Sequence, residues 1–264
     1  MRYLGITPNK IKIAVFDFTS CEGCELQLAN KEDSLHHFLD LIEVVDFREV
    51  SSAHGDDYDV ALIEGAITRA DEVERLTRVR ARAKTLVALG ACACFGGVAR
   101  QKNAYDLDEA NRIVYGDHPK PTTTVRAVHE VVAVDLAIPG CPVSKREVER
   151  IVQHLVWGVP FRFPRHPVCV ECKQRFVTCA FDRGQLCLGP ITRGGCDAPC
   201  PAGGLACWGC RGPSDEANVD EFCRIALDRG FSTTELGERL GFFGGFTAQP
   251  PATRMGSPEH EVSA

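Results

Sequence analysis

The chain has 264 residues, of which 44% are hydrophobic, enough for one large or two modest domains with a buried core. Its 30 basic and 36 acidic residues give a formal net charge of −6. The basic residues are scattered, so the sequence lacks the concentrated positive charge typical of nucleic-acid-binding proteins. We therefore expect a globular protein with no nucleic-acid partner.

The sequence shows no signal for export or membrane insertion. The first residues, MRYLGITPNKIKIAV, contain neither a long apolar segment behind a charged start nor paired arginines. The longest apolar stretches, such as EVVAVDLAI, contain charges and are too short to cross a bilayer. We expect a cytoplasmic protein without a membrane span. In a reducing cytosol, its fourteen cysteines are expected to be metal ligands rather than disulfides.

Residues 1–158 alternate between strand and helix patterns, typical of an α/β domain with a parallel sheet. The strand candidates are continuous apolar runs: Ile11–Phe18, Ile42–Phe47, Val60–Ile63, Thr85–Leu89 and Val131–Ile138. The helix candidates are Glu25–Leu39, Ala70–Arg82 and Lys145–Val156. Ser144 and Glu147 predict a capping box at the start of the last helix. The whole pattern predicts a flavodoxin-like open parallel sheet.

Residues 159–248 predict a second, smaller and irregular domain. The stretch from Pro160 to Gly212 holds eight cysteines among many glycines and prolines. It cannot bury much apolar surface, so it needs inorganic cross-links to hold one shape. Two helices are predicted after it, Ser214–Asp228 and Ser232–Leu240, the second with a capping box in STTE. The polar residues 249–264 predict a mobile tail.

Cysteines of the first domain follow predicted strands. Cys21 and Cys24 form a Cys-x-x-Cys pair, which alone could be a redox dithiol, half of a zinc site or two ligands of an iron–sulfur cluster. Cys92 and Cys94 follow the fourth strand, and Cys141 lies in a PGCP turn after the fifth. Open α/β sheets bind ligands where the carboxyl ends of their strands meet. We therefore predict a cluster cage at this edge.

We name Cys21, Cys24, Cys92 and Cys141 the strand-end set. The alternative for these four is that they pack as small hydrophobic residues, but core cysteines have no reason to gather after strand ends. For Cys94 that alternative is favoured. Glycines and prolines around the set provide tight turns that let backbone N–H groups approach a cluster closely.

The second domain contains two groups of four cysteines. The 169–187 set is Cys169, Cys172, Cys179 and Cys187. The 196–210 set is Cys196, Cys200, Cys207 and Cys210. Two sets of four suggest two cubane clusters, but zinc also accepts four thiolates and the spacing alone does not exclude it. Cys223, on a predicted helix, is expected to be an ordinary core residue.

Other catalytic motifs are absent from the sequence. It contains no phosphate-binding G-x-x-x-x-G-K-[ST], no G-x-G-x-x-G after a strand and no H-E-x-x-H. His166, three residues before Cys169, is the one histidine whose position suggests a ligand. A chain with three clusters and no substrate-binding motif is expected to conduct electrons, without a catalytic acid or base of its own.

Four segments together resemble the small subunit of nickel–iron hydrogenases. They are CEGC after the first strand, LIEGAI at Leu62–Ile67, LGACACFGG at Leu89–Gly97 and PGCP at Pro139–Pro142. With the cysteine-rich half, the likeness covers roughly residues 10–212. It implies that the strand-end set holds the proximal [4Fe–4S] cluster, nearest the nickel–iron site of a partner large subunit. Cys92 occupies the family position, which leaves Cys94 as the spare.

The resemblance also assigns the second domain. Membrane-bound members hold the distal cluster with one histidine and three cysteines, and Cys169 here stands where the histidine would be. The 169–187 set is thus implied for a distal [4Fe–4S] cluster, with His166 a bystander. The segment CLGPITRGGC resembles the family's link to the medial cluster, implied here for the 196–210 set. Cys200 supplies the fourth ligand of a third [4Fe–4S] cluster.

Departures from the family pattern indicate the cytosolic, multi-subunit hydrogenases, since a twin-arginine signal and a membrane anchor are missing. Members of that group couple hydrogen to NAD(P), to F420, to a heterodisulfide reductase or to sulfur reduction. The expected partners are a large subunit and a flavin- and iron–sulfur-containing diaphorase-type subunit, and the chain alone is expected to be inactive. The alternatives are a zinc-stabilised scaffold or interaction protein, and a subunit like the 20 kDa subunit of complex I, which lacks the eight-cysteine extension.

Overall fold

A five-stranded parallel sheet forms the first half of the protein, as described by a computed structural model of residues 10–30 and 39–246. The strands are β1 Ile11–Asp17, β2 Ile42–Asp46, β3 Val60–Glu64, β4 Thr85–Leu89 and β5 Leu136–Ile138. They are arranged in the order β2-β1-β3-β4-β5 and all pairs are parallel. This is the flavodoxin-like order, so the predicted α/β class and sheet are confirmed.

The two helices that cover the sheet are the longest of those described, and the other helices are shorter. The α-helices are α1 Gly23–Ala29, α2 Ala70–Arg82, α3 Gly90–Phe95, α4 Leu107–Tyr115, α5 Lys145–Val156, α6 Val168–Gln174, α7 Pro199–Ala202, α8 Val219–Asp228 and α9 Thr233–Gly241. The 3₁₀ helices are Val98–Ala104, Val128–Glu130 and Phe181–Arg183. Among the described residues, none of these helices combines the length and apolar character needed to cross a bilayer.

Apolar side chains cover both faces of the sheet, which explains why its strands are continuous apolar runs. On one face, α5 buries Val148, Ile151 and Val152 in a core that includes β1 and β5 residues. On the other face, α2 buries Leu76 and Val79 against residues of β3 and β4. The loops at the carboxyl ends of the strands are thereby held on a rigid support.

Several predicted boundaries shift. The strand predicted at Val131–Ile138 is wrong except for Leu136–Ile138, because the carboxylate of Asp135 accepts a hydrogen bond from Leu86 N–H at 2.7 Å and pairs with Arg80. The helix predicted at Ser214–Asp228 begins instead at Val219, where Asn218 caps it. Of the helix predicted at Glu25–Leu39, residues 25–29 lie in α1, Asn30 is not helical, and Leu39 lies in a helical stretch that ends at Leu41. Residues 31–38 lie outside the described residues, as does the 249–264 tail.

The two predicted capping boxes have different outcomes. At α9, Ser232 accepts a hydrogen bond from Glu235 N–H, and the Glu235 carboxylate accepts one from Ser232 N–H, so this box is confirmed. At α5, the Ser144 hydroxyl accepts from Glu147 N–H at 3.4 Å, but the Glu147 carboxylate binds Arg211 instead. The Ser144 half of this predicted capping box is therefore confirmed. The Glu147 half is wrong, because the buried guanidinium of Arg211 binds the Glu147 carboxylate.

The cysteine-rich half contains two small cores. One is lined by cysteines and small residues, among them Cys187, Cys207 and Ala198. The other packs Leu186, Leu188 and Ile191 against α8 and α9. The first of these cores has little apolar area, so burial of hydrocarbon alone stabilises it weakly.

Candidate metal centres

The strand-end set gathers where its residues were predicted to meet. Cys21 follows β1, Cys24 lies in the first turn of α1, Cys92 lies in α3 directly after β4, and Cys141 follows β5. Cys24 and Cys92 are close enough to Cys141 for their thiols to interact electrostatically. Cys92 and Cys141 interact in the same way with Cys21. The four thiols therefore lie close to one another at this edge of the sheet.

Two glycines leave the space that this arrangement needs. Gly90 has φ +86°, and a Cβ atom there would lie 2.5 Å from the Sγ atom of Cys24. Gly97 has φ +60°, and a Cβ there would lie 2.6 Å from the Sγ atom of Cys92. Both the left-handed backbone and the close sulfur exclude a side chain at these positions.

Glu64, at the end of β3, is a buried carboxylate that the sequence reasoning did not assign a role. It accepts hydrogen bonds from the backbone N–H groups of Cys24 and Glu25, at 3.1 and 2.6 Å. Burial raises its pKa above the usual value for a glutamate, against the lowering effect of these two hydrogen bonds. Glu64 thereby fixes the start of α1 and the position of Cys24. Glu64 is the glutamate of the LIEGAI segment, and its place in that motif was the signal in the sequence for such a role.

The electrostatics of the strand-end set favour neutral thiols when nothing is bound. Burial raises the pKa of Cys24 far above its usual value, and Glu64 adds to the effect. The pKa of Cys92 is raised to about 12, first by burial and then by Cys141 and Cys21. Thiolates are the metal-binding form. Holding several of them here requires positive charge, which bound iron would provide.

The 169–187 set forms around α6. Cys169 and Cys172 lie one turn apart on that helix, and Cys179 and Cys187 are close enough to act electrostatically on both thiols. The pKa of Cys169 is raised to about 12, first by burial and then by Cys187. A Cβ atom on Gly189 would lie 3.3 Å from the Sγ atom of Cys169. As at the strand ends, a glycine keeps space beside the sulfurs.

The 196–210 set lies between the other two. The pKa of Cys210 is raised to about 12, first by burial and then by Cys196 and by Cys141 of the strand-end set. Cys200 also acts on Cys141. On its other side, the N–H of Cys207 donates a hydrogen bond to the Sγ atom of Cys187, at 3.2 Å. The spatial order is therefore strand-end set, 196–210 set, 169–187 set.

The donor chemistry of the three sets fits an iron–sulfur cluster. Each set consists of four cysteine thiols, and [4Fe–4S] clusters are held by four cysteine thiolates. Zinc also accepts four thiolates, so the donor set alone does not distinguish the two groups. Within residues 10–30 and 39–246, no three His, Cys, Asp or Glu side chains are grouped closely enough to hold one metal ion.

The other residues considered as possible ligands, Cys94, Cys223 and His166, are not members of the three cysteine sets. Cys94 is buried in the core beneath the sheet, where its thiol lies 3.6 Å from the carbonyl oxygen of Ala88. Cys223 packs against the core of α8 and α9. Both positions agree with the core role predicted for them. His166 lies 3.4 Å from Glu171, which accepts a hydrogen bond from Gly195 N–H near Cys196.

One buried ion pair joins the two halves. Arg211 follows Cys210 directly, and its guanidinium binds both carboxylate oxygens of Glu147 on α5 at 2.7 Å. It also donates to the carbonyl oxygens of Gly194 and Pro139, at 2.9 and 2.8 Å. Because Pro139 begins the PGCP turn, the pair fixes the 196–210 set against the strand-end set. Sequence reasoning missed this residue, since nothing in CWGCRGP marks the arginine as buried.

The chain is similar to known proteins over most of its length. Residues 21–155 match the protein family described as NADH ubiquinone oxidoreductase, 20 Kd subunit. The chain is 39% identical to the sulfhydrogenase 2 subunit delta of Pyrococcus furiosus, over 79% of this chain and 89% of the relative. It is 26% identical to a subunit of the F420-non-reducing hydrogenase vhu of Methanococcus voltae, over 90% of this chain and 96% of the relative.

A solved structure gives a similar result. A chain of an NAD⁺-reducing [NiFe]-hydrogenase, crystallised in the H2-reduced state, is 28% identical with a TM-score of 0.55, covering 59% of this chain and 96% of that chain. The match to the 20 kDa subunit family ends at residue 155, before the eight cysteines of the second half. The hydrogenase relatives extend beyond that point. The chain therefore belongs to the oxidoreductase family of [NiFe] hydrogenase small subunits, which shares its first half with the 20 kDa subunit of NADH ubiquinone oxidoreductase.

Proposed function

We propose that this chain is the electron-transfer subunit of a cytoplasmic [NiFe] hydrogenase. It carries electrons between the nickel–iron site of a large subunit and a flavin- and iron–sulfur-containing diaphorase-type subunit that serves NAD(P) or another cytosolic acceptor. Its three cysteine sets hold three [4Fe–4S] clusters: proximal at the strand-end set, medial at the 196–210 set and distal at the 169–187 set. The observation that carries the proposal is the linear order of the three sets.

The chain's own residues position and insulate the relay. When bound, such clusters take up and release one electron at a time, at potentials set by burial and by hydrogen bonds to sulfur. Cys207 N–H, aimed at the Sγ atom of Cys187, is one such hydrogen bond between neighbouring sets. Arg211 and Glu147 hold the medial and proximal loops together. No side chain of this chain acts as a general acid or base.

The large subunit docks over the strand-end set. Cys21 and Cys141 are exposed in the chain alone, as is the apolar side chain of Leu26 on α1. Electron tunnelling falls off exponentially with distance, so a nickel–iron site must lie close to this edge and its subunit must cover it. A permanent interface of this kind buries more than about 2,000 Å².

Metal analysis tests the cofactor content. Three clusters of four irons give about twelve iron and twelve sulfide per chain in anaerobically prepared protein, with the brown absorption of iron–sulfur proteins. Stoichiometric zinc in a colourless second half would instead support the scaffold alternative.

Activity assays test the division of labour. The chain alone is expected neither to evolve nor to consume hydrogen, and to become active only with a large subunit bound. A cross-linking map of the complex should place that subunit on the loops after β1, β4 and β5. Hydrogen turnover by the isolated chain, or a large subunit docked only on residues 159–248, would refute the proposal.

A further inference from the structure

An exposed phenylalanine, Phe176, has an unfavourable backbone conformation and lies within the segment that carries the 169–187 set. The side chain of Phe176 is 95% exposed, and its φ is +54°. A bulky residue with positive φ is uncommon, because the left-handed backbone brings its Cβ atom too close to the carbonyl oxygen that follows. Within the described residues this side chain gains almost no burial in return.

The surrounding turn makes the choice of residue more unusual. Phe176 N–H donates to Lys173 O at 3.0 Å and Val177 N–H donates to Cys172 O at 3.2 Å, which together form a Schellman motif ending α6. Glycine is the residue that this position normally carries, because it adopts positive φ without strain. The fold therefore exposes an aromatic ring to solvent at a position where glycine would make the end of α6 more stable.

Exposed basic residues lie close to Phe176 in the chain. Lys173, Arg175 and Arg183 are all exposed, and between Cys172 and Cys187 they are opposed by one acidic residue, Asp182. This gives the segment a formal net charge of +2 in a chain whose net charge is −6. Among the ion pairs of the described residues, none involves these three cations: Arg175 donates to the carbonyl of Asp197 and Arg183 to the side chain of Gln185. Their charge is available to an outside partner.

Thiols of the 169–187 set lie close to these basic residues. Lys173 and Arg183 are both close enough to Cys172 to act electrostatically on its thiol, and Cys179, three residues after Phe176, is exposed. Positive charge beside a site that releases electrons attracts an acidic surface and speeds its approach. A rigid aromatic side chain inserted into a pocket is a common anchor of such contacts.

We infer that Phe176, together with the exposed Lys173, Arg175 and Arg183 of the same segment, forms the docking surface for an iron–sulfur subunit that has an acidic rim and an apolar pocket. We name these four residues the Phe176 surface. The inference rests on the proposed function and specifies where its electron-transfer partner binds. One electron passes from the reduced cluster of the 169–187 set to the oxidised cluster of the partner, or in reverse during hydrogen evolution, with no atom transferred.

The deciding experiment uses the native multi-subunit complex with Phe176→Gly. Since glycine suits the turn, the midpoint of thermal unfolding should stay equal or rise, while iron content and hydrogen-dependent reduction of benzyl viologen stay at wild-type levels. The iron–sulfur partner should dissociate at lower salt, with a Kd at least about tenfold weaker. Val50→Ala, at an exposed apolar residue in the first half, should leave partner retention unchanged.

Charge variants and cross-linking complete the test. Lys173→Gln with Arg183→Gln should slow partner association and flatten its salt dependence. A photo-reactive phenylalanine analogue placed at position 176 should cross-link to an iron–sulfur subunit. Undiminished partner binding by Phe176→Gly, or cross-links only to the large subunit or to a second copy, would overturn the inference. Wild-type complex lacking iron and viologen activity would overturn the proposed function as well.

Discussion

The two halves of the chain keep their shape by different means. In the first half, five hydrogen-bonded strands and two apolar cores hold the loops that carry the strand-end set. In the second half, α6 and α7 have seven and four residues, and one core is lined mainly by cysteines and alanines. We therefore expect the sheet to fold before any metal binds and the cysteine-rich half to need the groups proposed for its thiols.

Removing iron should unfold the cysteine-rich half and leave the sheet folded. Structural metal sites contribute on the order of 10 kcal/mol to folding. After anaerobic chelation, amide hydrogens between residues 160 and 212 should exchange rapidly, while those of β1, β3 and β4 stay protected. Mass spectrometry of amide exchange, with and without chelator, measures both regions in one sample. Equal protection of the two halves in iron-free protein would contradict the comparison.

Breaking the buried ion pair between Arg211 and Glu147 should destabilise the protein less than iron removal does. Arg211→Met leaves the Glu147 carboxylate buried without its cation, which typically costs about 3–5 kcal/mol. Arg211→Met combined with Glu147→Leu should recover part of that loss, because no unpaired charge is left behind. Denaturant unfolding of iron-loaded protein gives both values. A double variant less stable than the single one would argue against a charge-pairing role.

The glycine beside Cys24 should matter more than one in open space. Gly90→Ala and Gly116→Ala both force a side chain onto positive φ, at a cost of about 1–3 kcal/mol each. Only at Gly90 would the added Cβ meet a sulfur, since nothing lies within 4 Å of a Cβ at Gly116. Gly90→Ala should lower the proximal cluster's electron paramagnetic resonance signal, and Gly116→Ala should not. Equal signals from the two variants would show that the close contact has no consequence.

The smallest effects are expected at the two cysteines outside the sets. Cys94→Ala and Cys223→Ala should keep all three clusters and lose about 1 kcal/mol or less each, the cost of a small core deletion. Cys92→Ala should abolish the proximal signal. Spectroscopy and iron content of the three variants decide this. Loss of the signal in Cys94→Ala, with Cys92→Ala unaffected, would reverse the assignment.

The sequence predicted most of the sheet because buried parallel strands are continuous apolar runs, as in Thr85–Leu89. It missed α4, a nine-residue helix with no buried residue, although Asp106 accepts a hydrogen bond from Glu109 N–H as an N-cap that the sequence could have indicated. It also missed α6 and α7, which are too short for periodicity and are held by the contacts of their cysteines.

At the candidate sites, cysteine spacing and strand-end position predicted which thiols lie near one another. They did not predict the residues that surround the thiols. Glu64 and Arg211 are charged residues that the fold buries, and a charge in a sequence ordinarily indicates an exposed position. Phe176 has the opposite character, an aromatic residue that the fold exposes. Both kinds of exception arise from tertiary contacts, which local patterns do not record.

The pairing of Glu147 with Arg211 has a consequence for how this family changes over time. Either residue replaced alone leaves an unpaired charge buried between the strand-end set and the 196–210 set, and most such single substitutions would be removed by selection. Lineages that lose one member of the pair should have lost or exchanged the other. Positions 147 and 211, 64 residues apart in the chain, should therefore covary among relatives that keep the cysteine-rich half.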